Sequence, residues 1–191
     1  MIKREEIEAA LKEMLDLIED DALRAKVVDA WMLGIAQGGW ESMDQLREMP
    51  FTLVADTRGV NFIEHTLAVT ASAVGIAKSQ LTHYAKMPYA VDMDRLVAGG
   101  LLHDVGKLKE IERRDDGTHG RSRSGQLERH PISGAVLAAE AGLPEEIVNI
   151  VACHAKEGEG RHQVVETVFI HQADFATFNP LVMMSDGKLI R

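Results

Sequence analysis

Leu102-His103-Asp104-Val105-Gly106-Lys107 is the stretch on which the reading of this chain turns. A His-Asp pair alone is common, but further histidines and an aspartate flank this one at metal-ligand-like intervals. The ordered set is His65, His103, Asp104, His130, His154 and Asp174. Neutral imidazole nitrogens and carboxylate oxygens suit Fe, Mn, Co, Ni or Zn. The set exceeds what one tetrahedral ion needs, so two divalent transition-metal ions sharing a carboxylate are expected.

Outward from this stretch the pattern is helical, with apolar residues three and four apart and few alternating runs. A helix from about Asn61 to Ser79 carries Phe62, His65, Val69, Ala73 and Ile76 on one face, which turns His65 inward. From about Asp94 a second leads through Val97 and Leu101 to His103 and Asp104, with Gly99-Gly100 allowing close helix approach. Pro131 suits a first helical turn just after His130. Pro144 opens a stripe of Ile147, Ile150 and Val151 that ends at His154, and a last helix, from about Val164 to Phe178, presents Ile170, His171 and Asp174. A lone histidine on such a stripe is more often a hydrogen-bonded core residue than a ligand. Buried ionisable groups are costly unless paired or metal-bound, and ligation accounts for all of these positions together.

With His, His-Asp, His, His and Asp in this order, the chain resembles the HD-domain metal-dependent phosphohydrolases over roughly residues 57–178. The resemblance implies an all-α HD-domain helical bundle around a dinuclear metal site. It implies that His65, His103, Asp104 and Asp174 hold one ion, that Asp104, His130 and His154 hold the other, and that Asp104 bridges them. Gly125-Gln126-Leu127 before His130, and Cys153-His154-Ala155-Lys156 before Glu159-Gly160, are similar to the HD module of bacterial 3′-to-5′ exoribonucleases. Cys153 and Arg129 depart from that subgroup, and no Gly-Tyr-Pro follows His154 as in the c-di-GMP-type subgroup.

The implied activity is cleavage of a small nucleotide or other phosphoester, mono- or diester, by a metal-bound hydroxide. Asp104 and Lys107 are the expected catalytic residues. Lys107 would neutralise a non-bridging phosphoryl oxygen, its alternative being an ordinary lysine at a helix C-terminus. Arg121, Arg123 and His171 join Lys107 as candidates for substrate binding, with His119 an outside candidate and His83 and His162 read as surface residues. The same scaffold and ligand order also supports a mixed-valent di-iron oxygenase. A non-catalytic HD-like interaction domain fits less well, because such domains lose the ligands.

At 191 residues and 46% hydrophobic, the chain is expected to build one core. We divide it into an N-terminal helical extension (1–55), the HD domain (56–178) and a C-terminal tail (179–191). The extension reads as a cap on the core or a dimer surface, so a homo-oligomer is compatible with it. A single cysteine excludes an intrachain disulfide, the N-terminus has no apolar signal region, and no run approaches the roughly 18 apolar residues of a membrane span. A cytoplasmic location without membrane partners is expected. The net charge of −9 and 5% aromatic content oppose nucleic-acid binding, leaving a small-molecule phosphoester as the expected partner. Locally the balance reverses: Lys107 to Arg129 holds seven basic and five acidic residues, around a polar, irregular stretch at 113–126.

Overall fold

The computed structural model describes residues 1–190. Helices predominate, as the apolar spacing requires. Before the motif lie α1 (Arg4–Leu15), α2 (Asp21–Gly38) and α3 (Met43–Glu48). Asp20 caps α2 by accepting from the Ala22 and Leu23 amides at 2.8 and 3.0 Å. The reciprocal pair Asn61 and Glu64 starts α4 (Phe62–His83), each side chain accepting from the other's amide at 3.0 Å. Next come α5 (Met93–Leu102), capped by Asp92, and α6 (Lys107–Glu110), with the His-Asp pair in the turn between them. Strands β1 (Ile111–Arg113) and β2 (His119–Arg121) form an antiparallel hairpin with Ile111 opposite Arg121. The chain then forms α7 (Arg123–Leu127), α8 (His130–Glu140), α9 (Glu145–Cys153), a 3₁₀ turn (Lys156–Gly158) and α10 (Val165–Ser185).

Two elements differ from the sequence reading. The stretch at 113–126 is ordered by the hairpin and α7, and strands of three residues are too short to display an alternating pattern. The last helix continues past Phe178 to Ser185 with Pro180 inside it. The Ala176 carbonyl that loses its amide partner belongs to an exposed residue, where water can satisfy it.

One continuous core joins the N-terminal helices to the rest. Ile7, Leu11, Trp31 and Leu46 are buried in the same cluster as Leu96, Leu101, Leu108 and Ile150. The Trp31 indole donates to the Leu101 carbonyl at 2.9 Å and the Trp40 indole to the Leu108 carbonyl at 2.8 Å. The segment before residue 55 thus anchors the backbone on both sides of the His-Asp turn. Gly99 and Gly100 bring α5 against α9 and α4, since a Cβ on Gly99 would fall 2.6 Å from Ile150 and one on Gly100 would fall 2.8 Å from Thr70. No helix among the described residues is long and apolar enough to cross a membrane.

Candidate metal centre

The helices deliver the six side chains to one place. His65 comes from the buried face of α4, His103 and Asp104 from the turn after α5, and His130 from the first turn of α8. His154 caps the end of α9, and Asp174 comes from α10. Asp104 lies at the middle. Its Oδ2 is 3.3 Å from His65 Nε2 and 3.4 Å from His103 Nε2, while its Oδ1 is 3.2 Å from His130 Nε2 and 3.5 Å from His154 Nε2. Asp174 Oδ1 is 3.2 Å from His65 Nε2. Two ligand groups result, His65/His103/Asp104/Asp174 and Asp104/His130/His154, the candidate ligand atoms of each lying within 4.8 Å of one another.

The tautomers suit cations. His103 Nδ1 meets the Gly100 carbonyl at 2.6 Å and His154 Nδ1 meets the Val151 carbonyl at 2.8 Å. A carbonyl only accepts, so Nδ1 carries the proton and a neutral ring aims its Nε2 lone pair at Asp104. Glu110 Oε2 takes the same part for His130, accepting from its Nδ1 at 2.8 Å and its amide at 2.7 Å. His65, stacked on Phe51 at 4.0 Å, directs Nδ1 to the Thr177 hydroxyl at 3.5 Å. The Nε2 atoms of His65, His103 and His154 and the Asp104 Oδ1 atom are buried without any hydrogen-bond partner. Such atoms are costly to bury, and lone pairs converging on a carboxylate are satisfied by metal ions. The residues fit the group.

The electrostatics of Asp104, Asp174 and His130 agree, while His65 leans toward the charged ring beside the two carboxylates. Burial opposes the charge of Asp104, but Lys107, His103 and His130 outweigh it and hold the carboxyl well below its usual range. Burial likewise opposes ionised Asp174, yet the His65 imidazole 3.2 Å away brings it down to about 2. For His65 burial favours the neutral ring, and Asp104 and Asp174 overcome it to raise the value. For His130 burial prevails and lowers the value, favouring the neutral form that a ligand needs.

A cavity of about 390 Å³ opens onto this centre. Lys107 lines it from the start of α6, its Nζ 2.5 Å from Asp104 Oδ2, so it is not the end of the preceding helix. Arg121 also lines it, 3.6 Å from Glu110 Oε1. Arg123 and His171 are not among the lining residues. Arg123 is exposed at the start of α7, and His171 Nδ1 donates to the His154 carbonyl at 2.6 Å. His119 stacks on Trp40, with ring centroids 6.2 Å apart, and His83 and His162 are exposed. Three charged lining residues were not among the candidates named from sequence: Glu110, Arg129 and Lys156. Their signals were proximity to a motif residue: Glu110 is three residues from Lys107, Arg129 precedes His130, and Lys156 follows His154 by two.

Comparison with known proteins agrees with this geometry. The HD domain model matches residues 62–176, from the start of α4 into α10. The chain belongs to the HD domain family. Over 174 residues this HD protein is 29% identical to the dihydroneopterin 2′,3′-cyclic phosphate phosphodiesterase of Methanocaldococcus jannaschii, covering 87% of the chain and 67% of that protein. It is 28% identical over 119 residues to an uncharacterized protein of the same organism, covering 62% of the chain and 59% of the relative. No solved structure matches it.

Proposed function

We propose that the chain is a metal-dependent phosphohydrolase for a small phosphoester, and that a cyclic phosphodiester is the substrate class to test first. The observation that carries this reading is Asp104, each of whose oxygens faces a different pair of histidines. That is the arrangement of a carboxylate shared by two cations. Family membership supports hydrolysis, and the phosphodiesterase relative favours a diester.

His65, His103, Asp104 and Asp174 would hold one ion, and Asp104, His130 and His154 the other. Such ions, when bound, supply Lewis acidity toward phosphoryl oxygens and lower the pKa of water. The chain's own groups do the rest. The Gly100 and Val151 carbonyls and Glu110 keep Nδ1 protonated on three of the ligating histidines, so Nε2 remains free for ligation. Lys107 Nζ, beside Asp104 and on the cavity lining, binds a non-bridging phosphoryl oxygen and offsets charge that grows as the P–O bond breaks. Arg121, Arg129 and Lys156 attract and orient the incoming anion.

The test is metal analysis of protein purified with and without air, followed by ³¹P NMR of a 2′,3′-cyclic phosphate incubated with Mn²⁺, Co²⁺, Ni²⁺ or Fe²⁺. Conversion to a phosphomonoester that a chelator abolishes is expected. Absence of hydrolysis of every small mono- and diester, with any of these metals, would refute the reading.

A further inference from the structure

We propose that the outward face of α8 is an interface between two copies of this chain, packed antiparallel about a two-fold axis near the middle of the helix.

Between His130 and Glu140 the helix holds no charged residue, running Pro131-Ile132-Ser133-Gly134-Ala135-Val136-Leu137-Ala138-Ala139. A helix without charge on any side has the pattern of one covered on every side. Only the inner side is covered. Gly134 lets α8 close on α9, since its Cβ would fall 2.8 Å from Val151, and Leu137 packs toward Gly34 of α2. On the outer side Ile132 is 51% and Val136 44% exposed, Ala139 is exposed as well, and Leu127, just ahead of the helix, is 70% exposed. Steps of four and three residues put Ile132, Val136 and Ala139 in one row, the spacing of a helix-packing seam. Exposed apolar side chains set singly are ordinary, but a row of them along a helix is surface available for burial. The N-terminal helix α1, from which a dimer surface could also be built, presents the ion pairs Arg4–Glu8 and Lys12–Asp16 instead. Such a face stays solvated.

The charges at the ends of the row select the occupant. Arg129, at the N-cap, and Glu140, in the last turn, are both exposed. They share a side with Ile132 and Val136, because the successive intervals are three, four and four residues. Antiparallel packing sets Ile132 against Val136 of the partner subunit, and the same register sets Arg129 against Glu140 of the partner subunit. The two-fold axis repeats both contacts, whereas parallel packing would oppose like charges. An isologous contact of this kind closes with two copies. Within the chain Arg129 pairs with Glu157 at 3.3 Å and Glu140 accepts from Gln37 at 2.9 Å. Exposed pairings contribute little, so both charges remain free to turn to a partner. From Arg129 to Glu140 the row spans only about 16 Å at a helical rise of about 1.5 Å per residue. A seam that short falls at the small end of interfaces, and the dimer is therefore reversible and not permanent.

Sedimentation velocity on the full chain, purified with its metals and run from micromolar to near-millimolar concentration, tests this. A concentration-dependent equilibrium between monomer and dimer is expected. Val136→Asp, at an exposed position, should weaken the dimer about a hundredfold or more by bringing like charges together near the axis, with the helical circular dichroism unchanged. Arg129→Glu and Glu140→Arg should each weaken it as single variants. The double variant should recover the wild-type dissociation constant, which misfolding cannot produce. A monomer at every concentration would leave the face to another protein or to solvent and overturn the proposal. A dimer as tight in Val136→Asp as in the wild type, or a double variant no tighter than its singles, would overturn it equally.

Discussion

Asp104 differs from the other five proposed ligands because both of its oxygens are engaged, each on a different group. Asp104→Ala is therefore expected to lose both ions, and His154→Ala to keep the one held by the other group. Metal-to-protein ratios by mass spectrometry decide between them; full occupancy in Asp104→Ala would contradict a shared carboxylate. Glu110 acts through His130, and its carboxyl is held below the usual range because that bond and charge overcome the opposing effect of burial. Its replacement by Ala frees the imidazole to rotate and change tautomer. Metal affinity should fall about 10–100-fold with the helical circular dichroism unchanged. Lys107→Ala should retain metal but lose about 3 kcal/mol of transition-state stabilisation, read as a drop in kcat/KM with normal metal content.

At the level of elements, the centre depends on how closely the turn at 103–106 approaches the first turn of α8. A Cβ on Gly106 would stand 2.1 Å from the His130 carbonyl oxygen and 2.6 Å from the Gly134 amide nitrogen. Both obstacles are backbone, so neither can swing aside, and Gly106→Ala must push Asp104 away from His130. We expect destabilisation of about 3 kcal/mol or more in urea, with weakened binding of the ion that His130 serves. Gly75, exposed within α4 and with open space around its would-be Cβ, is the contrasting case. Gly75→Ala should stabilise the fold by up to about 1 kcal/mol through helix propensity. Equal effects of the two substitutions would show that the tight crossing does not govern the site.

Charge sets behaviour at the scale of the whole molecule. The chain carries −9 overall, yet the cavity lining gathers Lys107, Arg121, Arg129 and Lys156. A compact anion meets mainly the basic cluster, while a polyanion reaching beyond it meets net negative surface. Turnover should favour mononucleotide-sized esters over oligonucleotides, and raising salt from low ionic strength should narrow the gap by screening the repulsion. Efficient digestion of single-stranded RNA at low salt, with no small ester cleaved, would count against this and for the exoribonuclease-like HD module.

The sequence by itself determined the helical class and drew attention to His65, His103, Asp104, His130, His154 and Asp174. Helical periodicity is local, and metal ligation demands particular donor atoms, so both leave marks that survive without coordinates. Tertiary structure alone decided which cations face the cavity. Arg121 reaches it and Arg123 does not, because the β1–β2 hairpin points one toward Glu110 and α7 leaves the other exposed. His171 and Asp174 share a face of α10, yet only Asp174 meets His65, while His171 is turned to the His154 carbonyl. Glu110 gave no sign of its partner, His130, twenty residues away in the chain. The meeting of Phe51 with Phe178 was equally silent, since the two are far apart in the chain and come edge to face only in the folded structure. A side chain's type is written in the chain, but its neighbours across helices are set by packing of residues far apart in sequence.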